Sequence, residues 1–145
     1  MVSPSTDTKV NHLFILAKGS EKKMFEISKN GIIKVNRGDN FTIPLFIDQG
    51  TEMNPIIYEM NDKDHLYLGI MEPNQPFEFA IVRKKYSCDV MDEEGMLHLP
   101  FIPEDTECLI PGLYYYQVKL NKCDPLTEEY KVNTVIKKQQ FYILE

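Results

Sequence analysis

The sequence lacks any stretch that approaches the roughly 20 consecutive apolar residues of a membrane-spanning helix. It also has few cysteines: Cys88, Cys108 and Cys123 are separated by long intervals, and no two of them form a Cys-x-x-Cys pair. An odd number of widely spaced cysteines predicts neither a zinc site nor the disulfide framework of a small secreted protein. We therefore expect free thiols in a reducing compartment.

Basic residues are outnumbered by acidic ones. The 145 residues include 16 Lys and Arg against 22 Asp and Glu, which gives a net charge of −6. Nucleic-acid-binding proteins need a basic surface to contact phosphates, and the one basic cluster, Arg83-Lys84-Lys85, is short. Such a cluster is more typical of the blunted end of a strand. We expect neither a nucleic-acid partner nor a membrane partner.

Motifs of catalysis and cofactor binding are missing as well. The sequence contains no nucleophile elbow, phosphate-binding loop or dinucleotide fingerprint. His12, His65 and His98 fall in separate predicted strands, and none has a neighbouring ligand at metal spacing. We therefore predict a non-enzymatic protein with no catalytic, cofactor-binding or metal-binding residues and no cofactor. A hydrolase whose carboxylates meet only after folding stays open as a weaker alternative.

Two short motifs have structural explanations that are simpler than functional ones. Arg37-Gly38-Asp39 could be an integrin-binding loop, but Gly-Asp before a strand is ordinary turn chemistry. The acidic loop from Asp89 to Gly95 could hold calcium, but it lacks the EF-hand spacing of ligands. We interpret the first as a turn and the second as a solvated loop.

Strand signals are strong, and the clearest is the run from Leu113 to Leu120. Aromatic residues in strict alternation suit a pleated, half-buried surface. We predict a central strand here, preceded by a corner at Pro103 to Gly112 that supplies a partner for a buried tyrosine hydroxyl. The residues expected on its buried face recur at a period of two and are Tyr114, Tyr116, Val118 and Leu120.

The rest of the chain predicts an all-β fold of roughly ten strands, with turn signals every ~8 to 12 residues as in a β-sandwich. One helical turn is expected, at Glu104 to Leu109. We predict a flexible polar arm at residues 1–11 and one domain at residues 12–145. The other predicted strands after residue 30 are Ile32 to Val35, Asn40 to Ile47, a short one near Ile57, His65 to Met71, Phe77 to Lys84, Met96 to Leu99, Tyr130 to Lys138 and Gln140 to Leu144.

Two local features refine this prediction. Residues 12–30 predict a hairpin, because strand-like runs at His12 to Ala17 and Lys23 to Ser28 flank a polar turn that contains Gly19. Pro44 cannot donate to a ladder, so its strand is expected at a sheet edge or with a bulge at that position.

Several of these motifs, taken in order, resemble a known family. The strand and Arg-Gly-Asp turn at Ile33 to Phe41, the pair His65 to Met71 and Phe77 to Lys84, the Asp-Thr, Leu, Gly-x-Tyr-x-Tyr corner at Asp105 to Tyr116, and the last strand at Lys137 to Leu144 follow the same order in the N-terminal immunoglobulin-like domain of phage upper baseplate proteins. Similar modules occur in other phage virion and head-fibre proteins. The hairpin at His12 to Ser28 lies outside the resemblance, and we expect no fibre-forming segment after the domain.

The resemblance implies an immunoglobulin-like antiparallel β-sandwich with an extra N-terminal hairpin. It also implies a bacteriophage virion structural protein, made in the bacterial host cytoplasm, that docks in multiple copies on capsid, tail, fibre or baseplate proteins as an adaptor, decoration or fibre-anchoring subunit. The hairpin at His12 to Ile27 is the expected contact element. The alternative is a glycan- or small-ligand-binding module for host attachment, with a pocket lined by Tyr58, Tyr67 or Tyr86.

Overall fold

The computed structural model describes residues 9–13, 25–28, 30–48, 53–54 and 56–145, and these residues form an all-β structure as predicted. One short helix, α1 (Pro103–Thr106), accompanies the strands within these ranges, at the predicted helical turn. The strands are β1 (Lys9–Leu13), β2 (Phe25–Ile27), β3 (Ile33–Asn36), β4 (Phe41–Asp48), β5 (His65–Met71), β6 (Val82–Tyr86), β7 (Leu97–Phe101), β8 (Gly112–Cys123) and β9 (Tyr130–Leu144).

The larger sheet has six strands in the order β2-β3-β9-β8-β5-β6. Its pairs are antiparallel except for β3 and β9, which run parallel. The predicted central strand is confirmed, because β8 lies between β9 and β5. Its four predicted core residues are all buried, namely Tyr114, Tyr116, Val118 and Leu120.

The smaller sheet contains β1, β4 and β7, with β4 in the middle. The prediction of an edge position for the strand of Pro44 is therefore wrong. The described ladder with β1 reaches only the Leu13–Leu45 pair, next to Pro44, and the irregular register lies in β1, between Val10 and Leu13. The irregularity in the pairing of β1 with β4 therefore lies in β1 rather than at Pro44.

Four aromatic rings join the two sheets through the core. Phe41 and Phe101 of the smaller sheet stack with their centroids 4.5 Å apart. Phe141 of the larger sheet lies 6.4 Å from each of them, and Tyr116 meets Phe141 edge-on at 5.9 Å. Offset and edge-to-face contacts of this kind add to the free energy of burying the rings. The two sheets therefore meet at one aromatic cluster in the core.

Buried tyrosine hydroxyls find backbone acceptors, as the sequence predicts. Tyr114 donates to the carbonyl of Ile110 at 2.7 Å, within the corner that precedes β8. Tyr116 donates to the carbonyl of Gly31 at 2.6 Å. Gly31 has φ 92°, a value that favours glycine, and closes the predicted Asn-Gly turn between β2 and β3.

The N-terminal segment differs from the prediction. β1 pairs with β4 and β2 pairs with β3, so the described parts of the expected hairpin belong to different sheets. The Asn-Gly turn explains the choice of partner, because such turns join strands directly in a tight hairpin. Residues 9–11 of the predicted flexible arm form part of β1. Residues 1–8 and 14–24, which hold the rest of both predictions, lie outside the described residues.

Three further strand predictions need correction. The segment Phe77–Phe79 is a 3-10 turn, and β6 begins only at Val82, although it pairs with β5 as expected. The two closing strands are one strand, β9, because a shift of register against β8 beside Val118 lets the ladder continue. The predicted return near Ile57 is a single bridge to Asp48, from which the chain reaches the core at Met60.

Candidate binding face

The surface of the six-stranded sheet that faces away from the core combines aromatic and cationic side chains; we call it the outer face. Tyr67 of β5 lies directly between Lys85 of β6 and Lys119 of β8. At the other side of the sheet, Lys34 of β3 pairs with Tyr142 of β9. Although the net charge of the protein is −6, three lysines lie on this one surface of the sheet: Lys34, Lys85 and Lys119.

Aromatic rings hold several of these lysines in place. The Nζ atom of Lys85 lies 5.9 Å from the ring centroid of Tyr67, and that of Lys34 lies 5.8 Å from that of Tyr142. Lys119 places its Nζ 4.7 Å from the ring centroid of Phe77. At exposed sites such cation–π contacts contribute about 0.5 to 1 kcal/mol each. The outer face therefore presents ammonium groups in defined positions.

A groove of about 440 Å³ opens on this face beside Tyr67; we call it the Tyr67 groove. Phe77 forms one wall, because the 3-10 turn carries its ring over β5 at Gly69. A Cβ atom on Gly69 would lie 2.9 Å from Cε1 of Phe77 and 3.0 Å from Cβ of Ala80, so only glycine leaves room for the turn. The rest of the lining is Leu68, Glu78, Arg83, Lys84 and Lys85.

Arg83 fastens the wall of this groove to the sheet. Its Nε donates to the carbonyl of Ala80 at 3.2 Å, and its Nη2 donates to the carbonyl of Glu78 at 2.5 Å. These hydrogen bonds satisfy two carbonyls of the turn that follows Phe77. The groove is therefore a built feature of the segment between β5 and β6.

The Arg-Gly-Asp turn serves as a junction in the fold. Gly38, at φ 79°, donates its N–H to Oγ1 of the fully buried Thr106 at 2.8 Å. Next to it, Asp105 accepts hydrogen bonds from Lys84 Nζ at 2.7 Å and from the N–H of Ile102 at 2.9 Å. The Arg-Gly-Asp turn and the Asp105-Thr106 motif are therefore in contact, although they are distant in sequence. This contact gives both motifs a structural role that needs no integrin partner.

A second groove, of about 520 Å³, lies at the end of the β8–β9 hairpin around Tyr58 and Cys123. The fully buried carboxylate of Asp64 accepts the Tyr58 hydroxyl and, at 2.8 Å, the N–H of Cys123. Burial and this carboxylate raise the pKa of Tyr58 above its ordinary value of 10.0. Lys122 places its Nζ 4.7 Å from the Tyr58 ring centroid. These contacts tie the loop before β5 to β8.

A third groove, of about 450 Å³, includes Tyr86. The hydroxyl of Tyr86 donates to the carbonyl of Pro100 at 3.0 Å, and burial raises its pKa above the ordinary value. The structure therefore places Tyr58, Tyr67 and Tyr86 in three separate grooves. Of these three, Tyr67 is the one whose hydroxyl makes no hydrogen bond with another described residue.

The acidic loop organises itself around Asp92. Its Oδ1 accepts the N–H groups of Glu94 and Met96, each at 2.9 Å, and its Oδ2 lies 2.8 Å from Nε2 of His98. The hydrogen bond with His98 lowers the pKa of Asp92. Within the described ranges no three His, Cys, Asp or Glu side chains gather at a position that could hold a metal ion.

The other singled-out residues lie apart from one another. His65 lies beside Tyr67 on β5, with ring centroids 6.3 Å apart, whereas the side chain of His12 lies outside the described residues. The thiols of Cys88, Cys108 and Cys123 are free, and they are half-buried, exposed and buried, respectively.

Exposed apolar side chains lie at both ends of the sandwich. We call the end where β3, β7 and β9 terminate and β8 begins the corner end, because it holds the corner before β8. Ile110 at this end, for example, is 76% exposed. The pairs Asn36–Leu144 and Phe41–Phe101 fix this end in both sheets. The large apolar side chains exposed at the corner end belong to Phe79, Ile81, Ile102, Ile110 and Leu144. Those exposed toward the opposite end belong to Met53, Ile56, Leu126, Tyr130 and Val132.

The Tyr67 groove could not be read directly from the sequence, because its wall was predicted to be strand. A signal existed in Gly69, since an isolated glycine within a strand often marks a close approach of other atoms. Comparison of the whole chain with known proteins adds no assignment: no family model matches the sequence, and no curated protein matches it. Within the part of the chain that the structure describes, no helix is long and apolar enough to cross a membrane.

Proposed function

We propose that the chain is a non-enzymatic structural subunit of a bacteriophage particle, built on an immunoglobulin-like sandwich, that docks in multiple copies on capsid, tail, fibre or baseplate proteins. The order β3-β9-β8-β5-β6 facing β4-β7 supports this fold. A tyrosine hydroxyl that returns to the backbone just before β8 fits the tyrosine corner of immunoglobulin-like domains. The phage setting rests on the sequence resemblance.

We place the docking surface at the corner end, because exposed apolar side chains lie there next to the motifs that carry the resemblance. Five large apolar side chains lie there at 43% exposure or more. The same end holds the Arg-Gly-Asp turn and the corner before β8, which carry the resemblance. Apolar residues grouped on a surface and rimmed by polar ones are typical of protein–protein contacts.

The N-terminal segment fits less well as the contact element that the sequence suggests. Because β1 and β2 are strands of the two sheets, deletion of residues 1–28 would remove parts of the fold as well as a contact. Such a deletion would not separate docking from stability. Substitutions of exposed side chains are the sharper test.

The test compares purified phage particles that assemble with the wild-type chain or with a charged variant. Ile110→Glu places a charge in the corner end, and Leu126→Glu is the matched control, because it places the same charge on an exposed apolar residue, 92% exposed, at the opposite end of the sandwich. We expect wild type and Leu126→Glu in the particles at equal copy number, and Ile110→Glu strongly depleted. Absence of the wild-type chain from particles would refute the virion role, and full incorporation of Ile110→Glu would refute the docking surface.

A second candidate function, a glycan- or small-ligand-binding module, is favoured by the Tyr67 groove. Grooves of about 300 to 1,000 Å³ with aromatic walls and a few polar groups are typical of small-molecule sites, and this groove has about 440 Å³. Binding of sugars to the isolated chain, with shifts at Tyr67 and Phe77, would favour this candidate. Unaltered NMR spectra across a broad panel of glycans would rule out this candidate and leave docking as the proposed function.

A further inference from the structure

We propose that the Tyr67 groove binds a sugar that carries an anionic group, either a carboxylate or a phosphate. The proposal rests on the second candidate function and names its ligand class. Three features support it: the shape of the groove, the lysines beside it, and the 3-10 turn that blocks the groove over Gly69.

Two aromatic side chains, Tyr67 and Phe77, line the groove. The Tyr67 ring lies in the outer face, whereas Phe77 stands above the sheet at Gly69. An apolar face of a sugar ring can pack against such surfaces, and the hydroxyls at its rim stay in water. The volume of about 440 Å³ suits one or two sugar rings.

Two lysines at the groove lack carboxylate partners among the described residues: Lys85 in its lining and Lys119 beside it, on the strand that flanks Tyr67. Lys84 forms an ion pair with Asp105 at 2.7 Å, but among the described residues no carboxylate lies within 4.0 Å of Nζ of Lys85 or Lys119. These two lysines lie on either side of Tyr67 in adjacent strands, which puts them about 10 Å apart across the sheet. An anionic group of a ligand stacked on Tyr67 would therefore reach an unpaired ammonium. Glu78 is the one carboxylate in the lining.

The 3-10 turn argues for a compact ligand rather than an extended acidic polypeptide. Phe77 and Ala80 approach the sheet directly over Gly69, two residues beyond Tyr67 along β5. An extended chain that followed β5 would meet this turn, whereas a single ring fits against it. We therefore place an acidic sugar, and not an acidic peptide strand, in the groove.

The test follows amide chemical shifts of the full-length chain during titration with glucuronate, glucose 6-phosphate, glucose and a hexaglutamate peptide. We expect at least one acidic sugar to bind about tenfold more tightly than glucose, with the largest shifts at Tyr67, Gly69 and Phe77. Preference for glucuronate would identify the anion as a carboxylate, and preference for glucose 6-phosphate as a phosphate. Either outcome supports the proposal.

Charge variants locate the site. Lys85→Gln should lower the affinity for the acidic sugar about tenfold, and Glu78→Gln should raise it about two- to threefold. Lys34→Gln is the matched control, because Lys34 makes the same contact with Tyr142 but lies about 19 Å from Lys85 across the sheet and about 20 Å along the strands. Its affinity should equal that of the wild type. An equal loss in Lys34→Gln would overturn the groove in favour of a diffuse effect of charge.

The remaining outcomes separate this proposal from the function on which it rests. Equal affinity for glucose and both acidic sugars would overturn the anionic ligand but leave a glycan-binding module. Tighter binding of hexaglutamate than of either acidic sugar would assign the surface to acidic polypeptides instead. If no sugar produces shifts at millimolar concentration, both the ligand class and the glycan-binding function are wrong.

Discussion

The two faces of the six-stranded sheet both carry tyrosines, yet they use them differently. On the inner face, Tyr116 is fully buried, touches the ring of Phe141 and donates its hydroxyl to a backbone carbonyl. On the outer face, Tyr67 and Tyr142 remain half-exposed, and each has a lysine ammonium within 6 Å of its ring centroid. The same residue type thus contributes to the core on one face and to a surface on the other.

The difference teaches which tyrosines are free to bind something. A buried hydroxyl needs an internal acceptor, because leaving it unpaired costs about 1 to 3 kcal/mol. The inner tyrosines are therefore committed to the fold. A half-exposed ring with a cation beside it makes contacts worth less than about 1 kcal/mol, and a ligand can replace them. Binding is for this reason expected on the outer face.

Adjacent residues of β9 provide the largest contrast between the faces. Phe141 is fully buried among three other rings, whereas Tyr142 points outward. Phe141→Ala should lower the free energy of unfolding by about 3 to 5 kcal/mol, because it leaves a cavity in the core. Tyr142→Ala should lower it by about 1 kcal/mol or less. Urea denaturation measures both, and equal losses would contradict the assignment of the faces.

Tyr115 and Tyr116 are neighbours in β8 but lie on opposite faces, and a Tyr→Phe substitution at each removes only the hydroxyl oxygen. Tyr116→Phe removes the donor that pairs with the carbonyl of Gly31 at 2.6 Å and should cost about 1 to 3 kcal/mol. Tyr115→Phe, on the outer face, should change stability by about 0.5 kcal/mol or less. Chemical denaturation of the two variants measures the difference. A Tyr116→Phe protein as stable as the wild type would show that this hydrogen bond contributes nothing.

The inner face could be predicted from sequence because burial imposes a period. Alternation in a strand assigns every second residue to the core, and this placed Tyr114 to Leu120 correctly. The local partner of a buried hydroxyl also followed, since corners before such strands supply one. Pairing of distant strands is a different problem. The alternation of β1 and β2 gave no information on whether they pair with each other or with β4 and β3.

The outer face could not be predicted in the same way. Its groove depends on a 3-10 turn at Phe77, where the sequence Phe-Glu-Phe-Ala-Ile alternates as a strand would. What decides the conformation is tertiary: space over Gly69 and two hydrogen bonds from Arg83. Likewise, cross-strand neighbours such as Lys85 and Lys119 become known only once the register is known.

Gly69 tests whether the turn that walls the groove depends on the sheet beneath it. In Gly69→Ala the new Cβ would lie 2.9 Å from the Phe77 ring and 3.0 Å from Ala80, so the turn must shift. Overpacking of this kind costs about 1 to 3 kcal/mol. The double variant with Phe77→Ala should recover part of that loss, since it removes one clashing group. Denaturation midpoints measure this coupling, and strictly additive losses would mean that the ring does not rest on Gly69.

Alkaline pH tests the inner face without changing its packing. Burial raises the pKa of Tyr116 and of Tyr86 above the ordinary value of 10.0. Above pH 10 the unfolded chain loses these protons while the folded chain keeps them, so stability that is fully present below pH 10 falls as the pH rises. Each such tyrosine contributes a slope of at most about 1.4 kcal/mol per pH unit.

Tyr116→Phe should reduce the slope of stability against pH by the contribution of one tyrosine, because phenylalanine has no proton to lose. Urea unfolding at pH 9, 10 and 11 measures the slope for the wild type, for Tyr116→Phe and for Tyr86→Phe. Equal slopes for the wild type and Tyr116→Phe would mean that the Tyr116 hydroxyl ionises as readily in the folded chain as in the unfolded one. The inner and outer faces would then not differ in the way that their contacts require.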